Sequence, residues 1–207
     1  VVERDKRIMG AYATAGRFQQ RPAPATGGEF QPDLITTVDA IPAGPVQWCR
    51  GWDLGATEGA GDYTAGVKLG KLADGRFIVA DARRERFATA KRDAYIKATA
   101  SGDGMGRTKQ SIPQDPGQAG KGQVAAFAAL LAGHVVKFSP ETGDKVVRAR
   151  PLASQINAGN VLMLRGPWNK DFTDELRLFP NGSNDDQVDG ASRAFNELLG
   201  PSAGVFG

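Results

Sequence analysis

From position 46 onward the chain alternates between short apolar runs of strand character and longer stretches of helical composition. Residues 46–54 (VQWCRGWDL) predict a strand ending at an acid, and residues 63–72 predict a second. The Asp74-Gly75 pair separates this second strand from a third at 76–82 (RFIVADA). Asp-Gly between two apolar runs is a strong hairpin signal, because glycine takes the positive φ that a tight turn demands. Residues 88–100 have helical composition, 111–114 form a short run entering Asp115, and 117–133 read as an alanine-rich helix closed by Gly133. A strand is expected at 134–138, then a helix over 144–158 that must accommodate Pro151, and a further strand at 161–164. Helices over 172–178 and 185–199 complete the pattern.

Residues 1–45 behave differently. They carry Pro22, Pro24, Pro32, Pro42 and Pro45, several glycines and no sustained hydrophobic period. A short helix over 4–18 is expected, followed by an extended connector, since proline fixes φ and has no N–H to donate. The segment reads as a linker or wrap-around arm, with 46–207 as the folded domain. Within that domain, three leading antiparallel strands followed by alternating helices and strands are the RNase H-like order. The expected fold is therefore α/β, a mixed sheet flanked by helices.

Composition narrows the function classes. The 207 residues, 41% hydrophobic and 24% charged, suffice for one domain with a real core. The net charge of +3 permits nucleic-acid binding without arguing for it. The single cysteine, Cys49, excludes an internal disulfide framework and any multi-cysteine zinc site, and it suits a reducing, intracellular setting. No apolar run is long enough to span a bilayer and no secretory leader opens the sequence, so no membrane partner is expected. The sequence begins with Val and reads as a piece of something longer.

Three groups of acids stand out by position. Asp53 ends a strand of otherwise apolar and aromatic residues, which places it at the C-terminal edge of the sheet, where ligands gather in α/β folds. Asp115 ends another short strand, and Pro116-Gly117 then turns the chain into a helix. Asp185, Asp186 and Asp189 open the last helix, where Asp186 and Asp189 share a face. Carboxylates gathered from separate elements repel one another unless a cation stands between them. All-oxygen donors suit Mg²⁺ or Mn²⁺ rather than zinc. Taken singly, each acid is equally a turn former or a helix cap, with Asp185 well placed as an N-cap.

Four stretches together resemble the C-terminal nuclease domain of the tailed-phage terminase large subunit. They are Arg50-Gly51-Trp52-Asp53 with Asp62-Tyr63-Thr64-Ala65-Gly66 after it; Pro113-Gln114-Asp115-Pro116-Gly117-Gln118-Ala119-Gly120-Lys121; Thr142-Gly143-Asp144-Lys145 with Arg148 and Pro151; and Asn184-Asp185-Asp186-Gln187-Val188-Asp189-Gly190. In the arm, Gln20-Arg21-Pro22 and Gly27-Gly28-Glu29-Phe30 resemble the segment joining that family's ATPase and nuclease domains. The resemblance implies a metal-dependent DNA endonuclease of the host cytoplasm that cuts concatemeric viral DNA during genome packaging. It also implies two Mg²⁺ or Mn²⁺ ions, with double-stranded DNA, the ATPase domain, the small terminase subunit and the portal protein as partners. On the matching positions, Asp53, Asp115 and Asp186 would be the catalytic metal ligands, Asp185 and Asp189 further contributors and Asp62 an outer ligand. Lys145 and Arg148, and Lys121 beside Asp115, would hold DNA phosphates. Asn184 stands where many relatives have histidine, and an amide cannot take up a proton at neutral pH.

Other readings have their own features. Asp53-Leu54-Gly55-Ala56-Thr57 resembles the first phosphate-binding turn of actin-like ATPases, which need two such lobes to enclose a nucleotide. A resolvase or transposase of the same fold and a non-catalytic docking module are the remaining alternatives. No G-x-x-x-x-G-K-[ST] sequence occurs, so no phosphate-cradling loop of that type is expected. Arg83, Arg84, Arg86, Lys91 and Arg92 read as a solvated face. His134, the one histidine, reads as structural, Cys49 as a small buried hydrophobe, and Trp48, Trp52 and Trp168 as core.

Overall fold

The computed structural model of the chain describes residues 28–55 and 63–200. Within them a 3-10 turn at Pro32–Leu34 leads into strand β1 (Thr36–Val38), followed by β2 (Val46–Asp53), β3 (Thr64–Leu72) and β4 (Phe77–Glu85). Then come α1 (Thr89–Asp103), β5 (Thr108–Gln114), α2 (Gly117–Leu130), β6 (Val136–Pro140), α3 (Lys145–Asn157), β7 (Val161–Leu164), α4 (Asn169–Leu178) and α5 (Asp186–Leu199). The strands make one seven-stranded sheet in the order β1-β7-β4-β3-β2-β5-β6. β2, β3 and β4 are antiparallel, while β5 runs parallel to β2 and β6 parallel to β5. This is the expected α/β, RNase H-like mixed sheet. At the Asp74-Gly75 turn, Gly75 has φ +88° and donates its N–H to the Leu72 carbonyl.

Side chains alternate across β2, and that alternation sorts the core into two layers. Cys49 faces the larger cluster, formed with Val67, Leu69, Ala153, Phe172, Val188, Ala194 and Phe195 under α3, α4 and α5. Trp52 faces the other way, into a cluster with Ile96, Ala100, Ile112, Phe127 and Leu131 under α1 and α2. Each fully buried side chain of this size contributes about 1.5–3 kcal/mol. Trp48 and Trp168 are half-buried against apolar clusters. Cys49 is fully buried, and burial above all pushes its thiol up to about 12, which makes it unreactive.

Four elements differ from the sequence expectation. Thr36–Val38, which the pattern assigned to the connector, pairs parallel with β7, and Phe30 and Ile35 are buried in the core. The strand expected at 111–114 begins at Thr108, because Thr108, Gln110 and Ser111 are polar yet buried; Gln110 accepts the Trp52 indole N–H at 2.9 Å. Helix α1 runs on to Asp103, whose carboxylate receives two bonds from the buried Arg50 guanidinium, at 2.6 and 3.0 Å. His134 lies in a turn ahead of β6 rather than opening that strand. The helix expected at 4–18 lies outside the described residues.

Candidate active site

Because β2, β5 and β6 run parallel, their C-terminal ends form one edge of the sheet. Asp53 is the last residue of β2, Asp115 follows β5 directly, and Glu141 follows β6 directly. By alternation Asp53 leaves β2 on the same face as Cys49 and Gly51, which is the face that α5 covers. The approach of α5 is unusually close. A Cβ on Gly51 would stand 2.1 Å from the carbonyl oxygen of Gly190 and 2.6 Å from the amide nitrogen of Ala194. A Cβ on Gly190 would in turn stand 3.1 Å from the Gly51 carbonyl oxygen. Two glycines from distant motifs therefore let backbone lie on backbone, and this brings the first turn of α5, with Asp186 and Asp189, to the end of β2.

The electrostatics record the crowding. Burial, and then the charges of Asp189, Glu141 and Asp186, push the Asp53 carboxyl well above the ordinary carboxylate range. Burial likewise raises Asp189 to about 6, with Asp185 and Glu141 adding to the effect and Arg148 opposing it. Asp186 is buried as well. Cations from α3 and α5 partly balance this charge. In Thr142-Gly143-Asp144-Lys145, Asp144 caps α3 by accepting the N–H groups of Val146 and Val147, at 2.7 and 3.4 Å. The first turn of α3 then directs Lys145 to Asp185, a pair whose hydrogen bond raises the lysine above its usual range. Arg148 reaches Asp189 at 3.2 Å and Glu141 at 3.4 Å, and Arg193 reaches Glu141 at 2.6 Å.

The expected residues are not all drawn together equally. Asp53 lies near enough to Asp186 and Asp189 for their charges to raise its carboxyl, and Asp185 pairs with Lys145. Asp115 stands in the same row of strand ends but is exposed. Gly120 holds it there, since a Cβ at that position would lie 1.8 Å from the Asp115 carbonyl oxygen. Lys121 is exposed on the second turn of α2, and Asp62 lies outside the described residues. Asn184 donates to the Ser183 hydroxyl at 3.3 Å. Glu141 and Arg193 were not singled out in the sequence, although Pro140-Glu141 ends a strand just as Gln114-Asp115 does. Of the arginines expected on a solvated face, Arg83 pairs with Asp81, Arg84 with Glu175 and Arg92 with Asp93.

The donor set consists of carboxylate oxygens, two of which hold protons more tightly than usual, first because they are buried and then because neighbouring carboxylates repel them. A hard divalent cation would relieve that repulsion, and such ions prefer these ligands. Among the described residues no three histidine, cysteine or acidic side chains converge into a ready-made cage. The site suits a cation chemically without already enclosing one.

Comparison with known proteins places this arrangement. The sequence profile of the terminase RNaseH-like domain matches residues 50–198, from the β2 motif through nearly all of α5. The chain belongs to the terminase RNaseH-like domain family. The large terminase nuclease of thermophilic phage G20c, solved with bound magnesium, is similar to it with a TM-score of 0.60 and 20% identity, over 84% of this chain and 99% of that one. The large terminase nuclease domain of Thermus phage P74-26 gives a TM-score of 0.58 and 18% identity, over 82% of this chain and 95% of that one. The G20c nuclease has also been solved with zinc and with cobalt. At these identities the structural likeness speaks for the fold, and the family match speaks for kinship. No curated protein sequence matches the chain. Membership of this terminase family meets the expectation drawn from the four motifs and favours it over the resolvase, transposase and actin-like readings. Among the described residues no helix is long and apolar enough to cross a membrane.

Proposed function

We propose that this chain is the nuclease module of a terminase large subunit, a metal-dependent endonuclease that cuts double-stranded, concatemeric viral DNA during packaging in the host cytoplasm. Family membership supports the nuclease reading. The observation that ties it to these residues is the Gly51–Gly190 contact, which crowds Asp53 with Asp186 and Asp189. In this reading Asp53, Asp115 and Asp186 would hold two Mg²⁺ or Mn²⁺ ions, with Asp185 and Asp189 as further contributors and Asp62 as an outer ligand. Bound there, such ions polarise the scissile phosphate and neutralise the charge that develops on it.

The chain's own residues supply the rest. A cation held there would favour the ionised forms of Asp53 and Asp189, whose carboxyls are raised, so ion affinity would rise with pH. Lys145 and Arg148, which pair with Asp185 and Asp189 in the ion-free protein, exchange those partners for DNA phosphates, and Lys121 adds a contact beside Asp115. Asn184, whose amide cannot take up a proton at neutral pH, has no acid–base role in this reading. The segment ahead of residue 28 joins the module to an ATPase domain, through which it works with the small terminase subunit and the portal protein.

Plasmid cleavage tests the reading. The purified chain should nick or linearise DNA with Mg²⁺ or Mn²⁺ and stop when EDTA is added. Asp53→Asn, Asp115→Asn and Asp186→Asn should each lower the rate about a hundredfold or more while the fold survives. Undiminished cutting in EDTA, or a wild-type rate from Asp53→Asn, would overturn it.

A further inference from the structure

Glu175 lies on α4, outside all four motifs, yet it makes the contacts that fix the start of α5. The residue is buried, with a relative exposure of 4%. One carboxylate oxygen accepts the backbone N–H of Gln187 at 2.6 Å and of Val188 at 3.2 Å. The other accepts the Gln187 side-chain amide at 2.7 Å and the Arg84 guanidinium at 2.9 Å. Asp186 is the first residue of α5, so Gln187 and Val188 are its second and third, whose N–H groups an N-cap side chain ordinarily takes. The residue at the N-cap is Asp185, and its side chain makes no capping bond; it pairs with Lys145 instead.

We propose that Glu175, anchored to β4 by Arg84, caps α5 in place of Asp185 and thereby positions Asp186 and Asp189 for the cation while leaving the Asp185 carboxylate to face the same site. A helix can be capped by its own N-cap residue or by a side chain from elsewhere, but one carboxylate cannot both turn back onto N–H groups and point outward. Delegating the cap to α4 keeps Asp185 at the acidic cluster. It also fixes the first turn of α5 from two sides, by Glu175 at its N–H groups and by Gly51 at Gly190. Glu175 is a positioning residue: it touches neither the cation nor DNA, and it acts through the acids of α5. The inference rests on the proposed function for its cation, though not for the cap.

Two measurements on the intact chain test it. The first is Mn²⁺ binding by calorimetry, without DNA, for wild type, Glu175→Ala, Glu175→Gln and Leu162→Ala. Leu162 is buried in a separate cluster with Leu72 and Ile78, so Leu162→Ala controls for general loss of stability. Glu175→Ala should weaken Mn²⁺ binding at least about tenfold, since outer partners of metal ligands are typically worth that much. Glu175→Gln, which keeps one acceptor oxygen for the two backbone N–H groups, should fall between it and wild type, and Leu162→Ala should bind as wild type does. The second is hydrogen exchange at the Gln187 and Val188 amides, which should quicken in both Glu175 variants relative to the rest of α5. Should Glu175→Ala fail to fold, Glu175→Gln carries both measurements. Unchanged Mn²⁺ affinity in the Glu175 variants, or an equal loss in Leu162→Ala, overturns the positioning role. Unchanged exchange overturns the cap. A wild-type chain that binds no Mn²⁺ overturns the cation site itself, and the exchange rates then still decide the cap.

Discussion

Replacing Asp189 by asparagine should make the ion-free protein more stable at alkaline pH. The Asp189 carboxyl is raised from 3.8 to about 6, and its side chain is only 12% exposed, so water screens it little. The native state thus holds this proton more tightly than the unfolded chain does. For an acid raised in this way, stability falls as pH climbs from about 4 to about 6, and the whole deficit is present above that window. Roughly two powers of ten in proton affinity correspond to about 3 kcal/mol. Asparagine stands in for the protonated acid, and its carbonyl oxygen can still accept from Arg148. In EDTA at pH 8 the variant should therefore gain up to about 3 kcal/mol, or roughly 6–12 °C in melting temperature for a domain of this size. At pH 4 the two proteins should melt together. Saturating Mn²⁺ should narrow or reverse the gap, because the cation relieves in the wild type the repulsion that the variant lacks. Thermal melts across this pH range, with EDTA and with Mn²⁺, read all three. A variant that melts at or below wild type at pH 8 in EDTA would refute the reasoning, and so would a gap that persists unchanged at pH 4.

Gly51→Ala should be costly, because its Cβ would meet the Gly190 carbonyl at 2.1 Å; overpacking typically costs about 1–3 kcal/mol, and the upper end is expected here. Urea denaturation checks this, and Gly190→Ala, whose nearest contact is 3.1 Å, should cost less. DNA binding by the chain should fall steeply with salt, and Lys145→Ala combined with Arg148→Ala should flatten the slope of log affinity against log salt by about 2. Filter binding from low to moderate salt would show this, and an unchanged slope would remove those two side chains from the DNA contacts.

Much of the fold is legible in the sequence because it is encoded locally. Short apolar runs mark β2, β3 and β4, Asp74-Gly75 marks the hairpin between β3 and β4, and a helix is legible from composition over 117–133, of which Gly117–Leu130 is helical. The acids at strand ends are legible for the same reason, since a carboxylate closing an apolar strand must emerge at the sheet edge. Tertiary structure alone decided which of them meet. Asp53 and Asp189 lie far apart in sequence, and their approach depends on two glycines facing across a strand–helix contact. It also decided that Thr36–Val38 joins the sheet, because a three-residue edge strand is too short to show a period and forms only by pairing with β7. Asp185 has the sequence signature of a helix cap, yet Glu175 takes the cap and Asp185 turns to Lys145. Local sequence encodes the conformations a segment prefers, whereas which side chain satisfies a given N–H or carboxylate is settled by whatever the packed sheet and helices bring within hydrogen-bonding distance.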